Sequence, residues 1–213
     1  MLPPMGRPTT LKALWFLFAP GAGAPSTSAW MSHYRELLAN FGPVKTFDYD
    51  YMRAGKRLPD RAAALIERHR SELREGVEQY GPNVVLVGKS MGGRIGCHLA
   101  LEEQVQGVIC LGYPLKGVGK TGKLRDQVLF ELPAPACFVQ GTRDKLCPLE
   151  LMQETLRNRK APSHLHIVKT GDHSLQPTKT HLKQNKLRET DLENETMSFI
   201  ENFLDSLTYS RSL

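Results

Sequence analysis

Short apolar runs alternate with amphipathic stretches along this chain. Leu11–Ala19, Pro43–Asp48, Asn83–Gly88, Gly107–Gly112, Pro135–Gly141 and His164–Lys169 are each short and bounded by Gly, Pro or polar residues. Runs of that kind predict buried strands. Between them, apolar residues recur at helical spacing. Trp30, Tyr34, Leu37, Leu38 and Phe41 fall on one face of a predicted helix from Ala29 to about Phe41, with Ser28 as its cap. Asp60 is a candidate cap for a long helix reaching about Gln79, and RIGCHLALEE continues helically behind the run NVVLVG. Pro148–Arg159 and about Asp191–Leu207 complete the predicted helices. The connection Tyr113–Leu132 is polar and rich in Gly and Lys, with one or two helical turns at most near Lys123–Leu129. Gly171–Glu189 reads as a polar, basic loop. Residues 1–10 are Pro-rich and expected to be disordered, leaving 11–213 as one domain.

Six strands separated by helices predict a doubly wound, mostly parallel sheet with helices on both faces. In such a sheet ligands bind at the carboxyl ends of the strands, so the residues just beyond each apolar run become the candidates for chemistry.

Composition narrows the class. Of the 213 residues 40% are hydrophobic and 23% charged, the profile of an ordinary globular protein large enough to bury a substantial core. The net charge of +6 raises a nucleic-acid reading, yet the basic residues are spread along the chain and accompany no nucleic-acid-binding motif. No nucleic-acid partner is expected. Cys97, Cys110, Cys137 and Cys147 form no CxxC pair and no ligand cluster, so neither a metal nor a cofactor is expected. The first three fall in apolar segments, which points to reduced thiols and a cytoplasmic, or nuclear, protein; Cys147 reads as a loop thiol. The run Ala13–Ala19 after Arg7 and Lys12 resembles a signal peptide, but the same run is needed as a core strand. No stretch approaches the roughly 18 apolar residues of a membrane span.

The densest chemical signal is Val84-Val85-Leu86-Val87-Gly88-Lys89-Ser90-Met91-Gly92-Gly93. A strand runs into Gly-x-Ser-x-Gly with a helix opening behind it, the arrangement of a nucleophile elbow that pushes a serine out of a sharp turn. Gly88 and Gly92 are required because side chains there would collide across that turn. A serine hydroxyl needs a histidine to take its proton and a carboxylate to fix the imidazole's tautomer. Asp144 follows the strand PACFVQG in Gly-Thr-Arg-Asp, and His173 follows HLHIVK in Thr-Gly-Asp-His. Both stand at strand ends and in the order Ser, Asp, His. His164 and His166 fall within a strand, His33, His69 and His98 on helices, and His181 in the basic loop. Asp172 reads as a loop-turning residue, because it adjoins His173. An oxyanion hole would draw on the backbone N–H of Met91 and, from the small-residue loop Pro20-Gly21-Ala22-Gly23, the N–H of Ala22.

GKSMGGR, GTRD, GDHSL and the PGAG loop together resemble the α/β-hydrolase superfamily in its small dienelactone-hydrolase-like branch. More narrowly, with GYPL, they resemble the α/β-hydrolase-like domain shared by a testis-expressed protein and a subunit of the NSL histone acetyltransferase complex. The resemblance covers about residues 11–207 and implies Ser90 as nucleophile, Asp144 as acid and His173 as base. It implies a serine esterase or thioesterase acting through an acyl-enzyme. Tyr113–Leu132 is too short for a cap domain, which favours a shallow site for small soluble esters, thioesters or protein-attached acyl groups. Lys116 and Lys120 in that connection are candidates for attracting a carboxylate or phosphate on the substrate. The alternative is a catalytically weak, hydrolase-derived interaction module with a protein partner, its basic loops serving as the surface.

Overall fold

The computed structural model describes residues 13–117 and 123–209. The expected disorder of residues 1–10 and the position of Lys120 lie outside them. Six strands, β1 (Trp15–Ala19), β2 (Val44–Thr46), β3 (Val84–Lys89), β4 (Gly107–Leu111), β5 (Ala136–Gly141) and β6 (Ser163–Val168), form one sheet in the order β2-β1-β3-β4-β5-β6. Every neighbouring pair is parallel. The sheet is thus wholly parallel, because each strand returns through a crossover on one of the two faces.

Side-chain alternation divides the core in two. Trp15, Leu17, Leu86, Cys110 and Phe138 pack on one face against α3 (Ala62–Tyr80), α4 (Met91–Leu99), α5 (Gln127–Glu131) and α6 (Leu149–Arg157). Phe16, Phe18, Val85, Ile109 and Val139 pack on the other against α1 (Ala29–Leu38) and α8 (Glu189–Tyr209). Strands β1, β3, β4 and β5 are buried along their whole length, which is why they read as continuous apolar runs and not as alternating ones.

Two helices were not expected. α2 (Asp50–Arg53) is a single turn after β2, and α7 (Lys179–Asn185) lies inside the segment predicted as a basic loop. α7 lacks an apolar stripe; it is fixed by Thr178, whose hydroxyl accepts from the His181 N–H, and by a left-handed Lys186 at its end. Ser28 and Asp60 do not cap as expected. Ser28 occupies the N-cap of α1 without a side-chain hydrogen bond, and α3 starts one residue later with Arg61 at that position. Cys147 lies in the loop between β5 and α6, as expected of a loop thiol, and is buried there; all four cysteines are free. Among the described residues no helix is long and apolar enough to cross a membrane.

The order of strands reverses between β1 and β3: the chain leaves β1 for β2 on one side, then crosses back to β3 and proceeds outward to β6. The loops after β1 and β3 therefore part at this point, opening a crevice at the carboxyl edge.

Candidate active site

Ser90 stands at that crevice, between the last residue of β3 and the first of α4. Its backbone is forced into φ 49°, ψ −113°, a conformation a residue with a side chain adopts only under constraint. The constraint is visible on both sides. Its N–H donates to the Leu111 carbonyl at 3.0 Å, and its own carbonyl accepts from the Arg94 N–H at 3.2 Å. The turn is so tight that a Cβ on Gly88 would lie 2.0 Å from the Gly93 nitrogen, and one on Gly92 would lie 2.5 Å from the Ala19 carbonyl oxygen. Both glycines of the motif are thus required by backbone meeting backbone.

His173 and Asp144 reach Ser90 from β6 and β5. With its proton on Nδ1, His173 donates to Asp144 Oδ2 at 2.8 Å, while Nε2 accepts from Ser90 Oγ at 2.7 Å. The Asp144 side chain is fully buried, whereas that of His173 keeps 30% exposure, so the ring stands between the protein interior and the opening. Asp144 is held on its other side by the Leu146 N–H, which donates to Oδ1 at 2.9 Å. Asp172 behaves as the loop-turning residue foreseen: its Oδ1 accepts from the N–H groups of Ser174 and Gln176, while the imidazole's Nδ1 goes to Asp144. His164 and His166 lie within β6 and pack on Phe203 and Phe199 of α8.

The loop after β1 passes beside the serine. A Cβ on Gly21 would stand 3.6 Å from the Ser90 Cβ, and the Ala22 carbonyl accepts from Tyr51 Oη at 2.9 Å. Met91 supplies the first N–H of α4, one of those a helix leaves without an internal acceptor. Lys116 is partly exposed, with its N–H donating to the Leu146 carbonyl at 2.8 Å. Two clefts open on neighbouring loops, neither of them lined by Ser90, Asp144 or His173. One of about 500 Å³ is lined by Ala22, Tyr51, Met52, Lys56 and Arg57, and another of about 440 Å³ by Trp30, His33, Tyr34 and Ser174.

Two residues that hold the histidine loop escaped the sequence reading. Lys89 is only 9% exposed; its ammonium donates to the His173 carbonyl and lies 5.2 Å from the centre of the Trp30 ring. The Trp30 indole N–H donates to the next carbonyl along, that of Ser174, at 2.9 Å. Together they pin the backbone just after the imidazole's attachment, at two successive carbonyls. The only sequence signal was a lysine ending an otherwise apolar strand, and nothing local says which distant carbonyl it meets.

Burial lowers the Lys89 pKa to about 8, partly offset by the negative charges of Asp144 and Asp172. From about pH 8 to about pH 10.5 the unfolded chain holds a proton here that the folded chain has lost. Stability contributed by this group therefore rises with pH across that window, by up to about 1.4 kcal/mol per unit. Lys89→Met lacks this slope. Its stability relative to the unsubstituted protein should fall from about pH 7.5 to about pH 10, measured by urea melts at the two pH values; a constant difference would show that the ammonium is not desolvated.

A serine, an imidazole and a buried carboxylate linked in this way can move a proton off the hydroxyl as it attacks a carbonyl carbon. Comparison with known proteins bears on the family and the fold. A family model described as alpha/beta hydrolase domain matches residues 12–201. Among solved structures, an alpha-beta serine hydrolase homologue from Coxiella burnetii superposes with a TM-score of 0.64 at 18% identity, over 85% of this chain and 84% of that one. Est1E from Butyrivibrio proteoclasticus gives 0.63 at 12% identity, over 91% and 90%. An esterase domain of a Rhodothermus marinus protein gives 0.58 at 17%, over 76% and 79%. At these identities the structures share the fold with this chain.

Proposed function

The chain belongs to the alpha/beta hydrolase domain family, and on that footing we propose that it is a serine hydrolase of esterase or thioesterase type. The observation that carries the reading is the unbroken relay from Ser90 Oγ through His173 to Asp144, with links of 2.7 and 2.8 Å. Ser90 Oγ bonds to the carbonyl carbon of the substrate while its proton passes to His173 Nε2. The tetrahedral intermediate then expels the alcohol or thiol, which leaves with that proton. Water attacks the resulting acyl-enzyme by the same route, giving the carboxylic acid and restoring Ser90. The negative charge on the intermediate's oxygen is met by the N–H groups of Met91 and Ala22.

Small soluble esters, thioesters or acyl groups on a protein fit a site without a cap. Lys116 and Lys120, in the sequence between Tyr113 and Leu132, are the candidates for attracting a carboxylate or phosphate on the substrate. The narrower kinship, with the domain shared by a testis-expressed protein and an NSL acetyltransferase subunit, is part of this proposal and rests on GKSMGGR, GTRD, GDHSL and GYPL. A cytoplasmic or nuclear location also belongs to the proposal, supported by the four free cysteines.

A fluorophosphonate probe tests the reading directly, because it bonds only to a serine whose proton is drawn away. The protein should label stoichiometrically and Ser90→Ala not at all. Labelling that survives in the variant removes Ser90 from the mechanism. An unlabelled but folded wild-type protein would favour the interaction-module alternative.

A further inference from the structure

Resting on the hydrolase reading above, we propose that Arg94 and Arg125 form an anion-binding subsite beside Ser90, selecting substrates whose acyl or leaving group carries a carboxylate or phosphate. Arg94 sits one turn into α4, and its N–H donates to the Ser90 carbonyl. Four residues of helix rise about 6 Å, and helical side chains lean toward the N-terminus, so Arg94 inclines toward the serine end.

The Arg94 side chain is half-buried yet unpaired. Its Nε is closed off from solvent without a hydrogen-bond partner, and among the described residues the guanidinium enters no ion pair and stacks on no ring. The titratable groups close enough to act on it are Tyr49 beyond β2, Tyr113 beyond β4, Cys97, His98 and Arg125. No carboxylate is among them, and a second cation is. Arg125 has its backbone fixed, its N–H donating to the Leu115 carbonyl at 2.8 Å and its carbonyl accepting from Tyr113 Oη at 2.6 Å, while its own guanidinium is likewise without an acidic partner among the described residues.

The sequence closes the remaining escape. Residues 1–12, 118–122 and 210–213 contain no Asp or Glu, so no acidic side chain from them can supply the missing charge. Other buried guanidiniums have partners: Arg70 reaches Glu67, Glu102 and Glu103, and Arg159 donates to a set of carbonyls. Arg68, whose Nε also lacks a hydrogen-bond partner, still has the carboxylates of Asp50 and Glu72 beside it. A half-buried guanidinium left bare beside a like charge is costly unless an anion from outside completes it. The planar fork suits a carboxylate or a phosphate.

The test compares 4-nitrophenyl butyrate with mono-4-nitrophenyl glutarate, which differ chiefly in a terminal carboxylate. Wild type should prefer the glutarate half-ester in kcat/KM. Arg94→Met should lower the ratio of the two kcat/KM values by about 10- to 100-fold, through KM, and Arg94→Lys should restore part of it. Arg125→Met should lower the ratio in the same direction, a second measurement should Arg94→Met fail to fold. A ratio unchanged by both arginine variants overturns the proposal.

A binding arm separates this idea from the hydrolase reading. In Ser90→Ala protein, glutarate or inorganic phosphate should raise the thermal midpoint, and Arg94→Met in that background should abolish the rise. A greater response to glutarate assigns a carboxylate, a greater one to phosphate a phosphate. A rise that persists without Arg94, or no rise with either anion, rejects the subsite. If neither ester is cleaved and Ser90 is not labelled, the hydrolase reading fails while the midpoints still report on the anion site.

Discussion

Asp144→Asn should lower ester turnover by about 10³- to 10⁴-fold while leaving the protein folded. The size follows from what the buried carboxylate touches. Its Oδ1 accepts from the Leu146 N–H and its Oδ2 from His173 Nδ1. An amide has one acceptor and one donor end. Turning the NH₂ toward Leu146 sets donor against donor in a site without solvent. The favoured arrangement keeps the oxygen on Leu146 and offers the NH₂ to His173, which must then accept at Nδ1 and carry its proton on Nε2. An imidazole protonated at Nε2 cannot take the proton of Ser90. Assay with 4-nitrophenyl acetate, together with a melting curve, checks both halves of the expectation. Turnover within tenfold of the wild type would show that the aspartate does not set the tautomer. Asp172→Asn should be far milder, since that carboxylate accepts only from loop N–H groups.

Gly88→Ala should carry the largest cost in stability, about 3 kcal/mol or more. A methyl there would meet the Gly93 nitrogen at 2.0 Å and the Gly92 carbonyl carbon at 2.3 Å. Both are backbone atoms of α4, so no side-chain rotation relieves the clash; the helix itself must move off β3. For a domain whose total stability is about 5–15 kcal/mol, that is a severe loss, and it displaces Ser90 as well. Gly96→Ala, on the same helix, is the internal control. Its Cβ would find nothing closer than the His69 ring at 3.6 Å, an ordinary contact, and alanine favours the helix by up to about 1 kcal/mol. Urea midpoints of the two variants should therefore move in opposite directions or, for Gly96→Ala, stay put. Equal losses would mean that the turn yields more easily than its packing indicates.

The site was legible in the sequence to the extent that its parts carry local requirements. An apolar strand must precede Ser90, and small residues must flank it, because backbone meets backbone there. Asp144 and His173 announced themselves by standing at the ends of apolar runs. Lys89, Trp30 and Arg94 carried no such mark. Lys89 is the variable position of the serine motif, Trp30 read as one of several apolar residues on a helix face, and Arg94 as one more basic residue in a basic chain. What distinguishes them is a distant partner, or the want of one: the carbonyls of His173 and Ser174 for the first two, and for Arg94 an acid that never arrives. α7 was missed for a related reason, since it is secured by its termini rather than by an apolar stripe.

The linear order of apolar and polar residues thus determined six strands, their parallel winding and the three strand ends where polar chemistry could collect. Those follow from short-range rules, namely burial of alternating faces and the steric limits of a sharp turn. Tertiary structure alone decided which way the ends converge, bringing residues 83 and 29 positions apart into one relay. It also decided which charges find partners, because pairing depends on a few ångströms of through-space separation that no spacing along the chain encodes.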